Sequence, residues 1–275
     1  MIILISGCAS KEKEQLYSKD EAEKKFIQIC KDEYNWDINT QSVGNTFWVY
    51  LPYQKNVFKF KASRFGQTNK CTVSYLDGNF SGDGFYFEYQ ISDLLKNEED
   101  KGYTYGLIDE LNEDFYRLLS TIYRVYFNAE QEPEFYVIIM ADIINGMEIS
   151  YIIYNQDLKK VYNNAIASEE YYKRILQEVT GNLAIINDKT GRYLNREEVI
   201  LGEFLTKQIA QRIRMHFSGT SANSCTIPEE EIIKIIAYCL RTYEFKDFSQ
   251  VTLKNLSSKR EITQYRRELE AIKEF

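Results

Sequence analysis

The 275-residue sequence has few residues of the kinds that metal centres and nucleic-acid interfaces need. It contains one histidine, three prolines and five cysteines, and its net charge is −7. Because phosphate backbones require a basic surface, this acidic balance argues against a nucleic-acid partner. No Cys-x-x-Cys pair occurs and no cysteine accompanies His216 in a ligand pattern, so a zinc site is not expected. A P-loop and a dinucleotide fingerprint are both missing, and we predict no cofactor.

Long apolar runs are missing as well. No run reaches the roughly 18 residues of a membrane-spanning helix, and the longest apolar stretches, 135–141 and 149–154, have the length of strands. Aromatic residues are abundant, with 22 Tyr and 16 Phe. We interpret most of them as half-buried strand and helix positions, with a binding surface as the alternative.

The N-terminal segment is apolar up to Ile5, continues with two small residues and becomes polar after Cys8. Ile5-Ser6-Gly7-Cys8 resembles the lipobox of bacterial lipoproteins. The resemblance implies that the Cys8 thiol carries a diacylglyceryl group and that the preceding peptide is removed. It also implies a protein anchored to a membrane of the bacterial cell envelope, facing the periplasm or the exterior. The apolar segment is short and lacks Lys and Arg, so we expect the signal peptide to begin upstream of Met1.

These features predict a simple domain organisation. Residues 1–7 are the end of a truncated signal peptide, residues 8–17 carry the lipidated cysteine and a polar tether, and residues 18–275 form a single domain. A subdivision of that domain near residue 165 is the alternative. The four remaining cysteines can pair in three ways in an oxidising compartment, and their pairing stays open; they are Cys30, Cys71, Cys225 and Cys239. Cys239 lies in an apolar helical stretch and is interpreted as a core residue.

Helices are predicted from capping patterns and from apolar residues at spacings of three and four. A capping box at Ser18 predicts a helix that ends near Tyr34, and residues 107–127 have the clearest amphipathic pattern. A second capping box at Ser258 predicts a last helix that extends to Ile272. The other predicted helices cover residues 156–163, 168–179, 196–217 and 229–243.

Strands are predicted where apolar and polar residues alternate, at 46–51, 57–62, 71–76 and 85–91. Asn145-Gly146 predicts a hairpin between two apolar runs, the first of which is apolar on both faces and is expected at the centre of a sheet. We also expect a short strand at 183–186 and an edge strand at Val251 and Leu253. Because strands cluster early and helices late, the fold class is predicted as α+β, with an antiparallel or mixed sheet packed against several helices.

Residues 77–88 match the pattern of a calcium-binding loop, in which oxygen ligands alternate and a glycine permits a sharp bend. The pattern residues are Asp77, Asn79, Ser81, Asp83 and Glu88. Regular alternation over 85–91 instead predicts an extended chain, which carries Glu88 away from Asp77 to a position beside Ser74 or Thr72. We therefore interpret the loop as a hairpin turn, predict no metal site, and expect no calcium affinity tighter than about millimolar.

Candidate catalytic residues are few. His216 is followed by a loop that contains Ser218, Ser221, Ser224 and Cys225, but no nucleophile-elbow motif occurs there. Asp142 interrupts an apolar strand. We expect its side chain to face outward at the end of the hairpin, with a buried functional acid as the alternative.

Two hypotheses about function follow. The first is a non-enzymatic envelope lipoprotein that acts in binding or in cell-surface structure, and a shallow aromatic face containing Trp48 and Tyr50 would favour it. The second is an anchored hydrolase that uses carboxylates such as Asp142 or Glu88. A deep pocket with converging acids of raised pKa would favour the enzyme.

Overall fold

The computed structural model describes residues 16–64, 71–93, 101–219 and 228–272. The chain has the predicted α+β class, with helices packed against antiparallel and mixed sheets. Cys8 with its lipobox, Ser221, Ser224 and Cys225 lie outside the described residues.

Helices and strands alternate irregularly along the chain. The helices in the described ranges are α1 (Lys19–Tyr34), α2 (Asp109–Tyr126), α3 (Asn155–Tyr162), α4 (Ser168–Arg174), α5 (Leu201–Gly219), α6 (Pro228–Thr242) and α7 (Arg266–Ala271). The strands are β1 (Asn39–Val43), β2 (Thr46–Tyr53), β3 (Phe58–Arg64), β4 (Cys71–Ser81), β5 (Gly84–Asp93), β6 (Lys101–Leu107), β7 (Phe135–Asp142), β8 (Met147–Tyr154), β9 (Leu176–Gly181), β10 (Gln250–Asn255) and β11 (Glu261–Tyr265).

The first sheet has five strands in the order β1-β2-β7-β8-β9. All eight residues of β7 are buried, which confirms that its two-sided apolar pattern belongs to a central strand. β7 runs parallel to β2, and α2 lies in the long connection that such a pair needs. α1 and α2 contribute Phe26, Leu118 and Ile122 to the core that covers one face of this sheet. α1 begins at the predicted capping box, in which Ser18 and Glu21 bond reciprocally.

The predicted hairpin joins β7 to β8. Residues 143–146 form the turn, and the Gly146 N–H donates to the Asp142 carbonyl over 3.0 Å. Gly146 has φ +68°, a conformation that side chains with a Cβ rarely adopt. The hairpin prediction is therefore confirmed, and a glycine is needed at its last turn position.

The second sheet has four strands in the order β11-β10-β5-β4 and packs against α5 and α6. Val251 and Leu253 belong to β10, which pairs with β5 on one side and with β11 on the other. The prediction of an edge strand was wrong, since β10 has a paired strand on each side, and both residues are buried at 1% exposure. β3 and β6 pair with each other as a separate two-stranded sheet.

Three boundaries between residues 168 and 217 differ from the predictions. The helix predicted to end at 179 ends at Arg174, because residues 176–181 pair with the free edge of β8. The predicted strand at 183–186 is a 3-10 turn. α5 begins at Leu201 rather than at Arg196, because the residues before it are hydrogen-bonded to the start of β2. The Asn45 N–H donates to the Glu198 carboxylate, and the Val199 N–H donates to the Thr46 hydroxyl.

The second predicted capping box does not start a helix. The Asn255 side chain accepts hydrogen bonds from the N–H groups of Ser257 and Ser258, and Lys259 has φ +56°. These contacts form a turn that lets β11 pair with β10, so the last helix begins only at Arg266. Turn formation by the asparagine side chain outweighs the helical spacing of the apolar residues here.

Candidate functional site

A cavity of about 630 Å³ opens beside the carboxyl end of β2. Ligands in sheets with parallel strands bind beyond the carboxyl ends of those strands, and β2 is parallel to β7. We call this space the β2–α2 cavity. Its apolar wall includes Trp36, Leu51 and Pro52, and its charged lining consists of Lys31, Asp37, Lys55, Glu110, Asp114 and Lys189.

Asp114 is the buried carboxylate of this cavity, with 2% exposure. Its Oδ2 accepts a hydrogen bond from the Tyr53 hydroxyl at 2.9 Å, and its Oδ1 accepts one from Arg117 at 2.8 Å. Burial raises the pKa of Asp114 above its ordinary value and outweighs the two hydrogen bonds, which lower it. Burial and the nearby carboxylate likewise raise the pKa of the Tyr53 phenol. Asp114 thus keeps its proton to a higher pH than an exposed aspartate.

The other charges of the β2–α2 cavity are mostly paired at its rim. Lys55 lies 2.5 Å from a carboxylate oxygen of Glu110, and Lys31 lies 2.6 Å from one of Asp37. Lys189 has no ion-pair partner among the described residues. A ligand would therefore meet an apolar wall, amide and hydroxyl groups, and ion pairs whose charges largely cancel.

Sequence reasoning missed Asp114, although α2 contains a signal for it. Leu111, Phe115 and Leu118 lie on the buried face of α2, and Asp114 occupies the same face. A charged residue on an otherwise apolar helix face is unusual and needs a polar partner. The partner, Tyr53, is far away in sequence, so the pair becomes visible only when β2 and α2 come together.

Asp142 does not face outward as predicted, and its exposure is 0%. Its carboxylate accepts hydrogen bonds from the backbone N–H groups of Val57, Ile144 and Asn145 at 2.9, 3.1 and 2.9 Å. The Asn145 side chain donates a further bond at 2.8 Å. Four donors satisfy this carboxylate and tie the β7–β8 turn to the chain before β3. Asp142 is thus a structural acid, not one that converges with others in a cleft.

The calcium-like residues lie on the hairpin of β4 and β5, whose turn is Gly82 and Asp83. Glu88 is paired across the strands with Asp77, not with Ser74 or Thr72 as predicted, because the two-residue turn sets Ser81 opposite Gly84 and the register continues from there. The Glu88 carboxylate contacts Lys254 of β10 at 2.6 Å. No group of three His, Cys, Asp or Glu within the described ranges has a metal-binding arrangement.

Trp48 and Tyr50 do not form a shallow exposed face. Residues 182–199 cross this side of the first sheet and cover them, so Tyr50 is 1% exposed. The Tyr50 hydroxyl donates to the Asp188 carbonyl at 2.7 Å, and the Trp48 indole donates to the Glu197 carbonyl at 3.1 Å. Trp48 and Tyr50 therefore do not supply the aromatic face that would favour a binding module, because residues of a second layer pack over them.

His216 and the described thiols offer no nucleophile with an adjacent base. His216 lies in α5 with Nε2 at 3.7 Å from Glu231 of α6. Cys30 and Cys239 are free and buried, which confirms Cys239 as a core residue. Burial raises the pKa of each thiol to about 12, so both remain protonated and weakly reactive. Cys71 lies in β4.

Comparison of the chain with protein-family models, with curated proteins and with solved structures found no match. No helix in the described ranges combines the length and the apolar character that crossing a membrane requires.

Proposed function

We propose that this protein is a lipoprotein of the bacterial cell envelope, anchored through acyl chains on Cys8 and acting as a non-enzymatic binding module. The sequence Ile5-Ser6-Gly7-Cys8, followed at once by polar residues, carries the proposal. Two or three acyl chains hold a protein at a membrane more firmly than one, at roughly 0.8 kcal/mol per buried methylene. The Tyr17 backbone is hydrogen-bonded into the fold, so only residues 9–16 separate the proposed lipid from it.

The β2–α2 cavity is the proposed binding site. Because Lys55 and Glu110 neutralise each other, as do Lys31 and Asp37, the cavity favours a polar ligand with little net charge. Such a ligand can lie against the apolar wall and exchange hydrogen bonds with amide and hydroxyl groups. A cationic ligand would have to break an existing ion pair, and an anionic ligand could avoid doing so only at Lys189.

An anchored hydrolase remains the second candidate, now with a different carboxylate. Asp142 is fully bonded to donors of the fold and Glu88 is paired with Lys254, so neither supports the chemistry. Asp114 is buried beside a cavity and has a raised pKa, as a general acid needs. Asp114→Asn keeps the side-chain shape and removes the acid. If the wild type hydrolyses chromogenic ester or glycoside substrates and this variant does not, the binding-module proposal is wrong.

The anchor is tested by cell fractionation. We expect the chain, expressed behind the signal segment of a bacterial lipoprotein, to sediment with the membranes, and the Cys8→Ala variant to appear in the soluble fraction. Cys30→Ala is the matched control, since it removes a thiol that the fold buries. If Cys8→Ala sediments as fully as the wild type, the lipobox interpretation is refuted.

A further inference from the structure

Aromatic side chains line the outer surface where α2, α3 and α4 meet. Tyr116 and Tyr123 of α2 and Phe127, its C-cap residue, follow one another at intervals of seven and four residues, so they share one face over roughly 16 Å. Tyr162 of α3 and Tyr172 of α4 pack against them. We call these five residues the tyrosine ridge.

The rings of the tyrosine ridge form two contacting groups, Tyr116 with Tyr172 and Tyr123 with Tyr162 and Phe127, and the four tyrosines remain open to solvent. Tyr123 and Tyr162 stack with centroids 4.1 Å apart, and Tyr116 meets Tyr172 edge-on at 6.1 Å. Their exposures are nevertheless 38%, 38%, 49% and 43%, in that order. A group of adjoining aromatic rings that is left half-exposed is typical of a surface that another body covers.

The chain enters the fold directly beside this surface. The Tyr17 N–H donates to the carbonyl of Asn128, and the Tyr17 carbonyl accepts from Glu130, both at 2.8 Å. Residue 17 is thereby held next to the residue that follows Phe127, and the neighbouring Leu16 is 49% exposed. Eight residue steps separate Cys8 from Leu16, which span at most about 28 Å when fully extended. Acyl chains on Cys8 would therefore keep the tyrosine ridge close to the bilayer.

We propose that the tyrosine ridge is a membrane contact, which lies in the headgroup layer of the bilayer that the Cys8 lipid enters. The inference rests on the proposed lipid anchor. Tyrosine suits that layer because its ring prefers the apolar side and its hydroxyl the polar side. Lys159 lies 5.4 Å from the Phe127 ring centre, and its ammonium is paired with Glu132.

The test uses the full chain with Cys8→Ser, so that no lipid anchor contributes. Vesicles of phosphatidylcholine, and of phosphatidylcholine with an equal part of phosphatidylglycerol, are sedimented with the protein. We expect weak binding to both. Adding Tyr123→Ser and Tyr162→Ser should lower the vesicle partition coefficient by roughly tenfold. Tyr116→Ser with Tyr172→Ser provides a second, independent pair.

Two control pairs make the result specific. Tyr75→Ser with Tyr265→Ser removes tyrosines that are 43% and 59% exposed outside the ridge, and should leave binding unchanged. Tyr123→Phe with Tyr162→Phe keeps the rings and should retain most of the binding, and a melting curve for each variant reports whether the fold is intact.

Three results would overturn the proposal. The protein binds neither kind of vesicle, or all variants bind equally well. In the third case the protein binds only the vesicles that contain phosphatidylglycerol, and the ridge substitutions leave this binding unchanged. A protein or glycan partner would then be the better assignment for the tyrosine ridge. The fractionation test depends on Cys8 with the ridge intact, and the vesicle test depends on the ridge without Cys8. The anchor and the membrane contact can therefore fail separately.

Discussion

Gly146 closes the turn between β7 and β8, and a side chain there should be costly for two separable reasons. The first is conformational, because φ is +68° and a β-branched residue rarely adopts that value. The second is spatial. A Cβ at this position would lie 3.0 Å from the backbone carbonyl oxygen of Asn182 and 3.0 Å from a carbon of Ile186. Gly146→Val combines both effects.

The magnitudes can be worked out by comparison with Gly82, the turn glycine between β4 and β5. Gly82 has φ +62°, and a Cβ there would have no neighbour within 4 Å. Gly82→Val should therefore cost only the conformational part, about 1–3 kcal/mol. Gly146→Val should add about 1–3 kcal/mol for crowding, which gives about 2–6 kcal/mol in all.

Urea unfolding followed by circular dichroism measures both variants against the wild type. We expect Gly146→Val to have the lower midpoint, with an unchanged slope if the denatured state is unaffected. If Gly146→Val and Gly82→Val lose the same free energy of unfolding, crowding by Asn182 and Ile186 is absent. An unchanged midpoint for Gly146→Val would refute the tight turn itself.

Three further predictions concern charges. Arg174 and Asp157 form a buried ion pair at 2.8 Å, so Arg174→Met should lower the free energy of unfolding in urea by about 3–5 kcal/mol. Adding Asp157→Leu should restore part of that stability, because it removes the carboxylate left without its partner. A loss below about 1 kcal/mol for Arg174→Met would contradict the prediction. Burial, and next the Glu198 carboxylate, raise the pKa of Glu134 in the folded protein above its ordinary 4.5. The stability that protonated Glu134 contributes to the fold is therefore complete below pH 4.5 and is lost as the pH rises through the raised pKa. The melting temperature of the Glu134→Gln variant should therefore fall less than that of the wild type over this pH range. Identical pH profiles of melting temperature for the variant and the wild type would count against the prediction. Isothermal titration should detect no calcium binding tighter than about millimolar; a micromolar isotherm that Asp77→Ala abolishes would show a real site.

Several features could be predicted from the sequence because their energies depend on neighbouring residues. The capping box at Ser18 and the hairpin around Gly146 involve contacts within a few residues, and the periodic pattern of α2 and the two-sided apolar pattern of β7 are visible within each segment. Cys239 was placed in the core for the same reason, since the apolar stretch around it was already visible.

Long-range pairing decided the rest. Residues 176–181 carry a pattern compatible with a helix, but the open edge of β8 offers them backbone hydrogen bonds, and they become β9. The chain after β10 turns back at Asn255 and forms β11, although the apolar spacing beyond Ser258 suits a helix.

The candidate site also depended on the tertiary structure. Asp114 meets Tyr53 only because α2 returns across β2, and Asp142 meets the N–H of Val57 only because the chain before β3 packs on the β7–β8 turn. Residues 182–199 cover Tyr50, whereas Tyr123 and Tyr162 come together at the surface with half-exposed rings. Residue type alone does not distinguish these tyrosines, because burial depends on which segments pack over each ring, and those segments are distant in sequence.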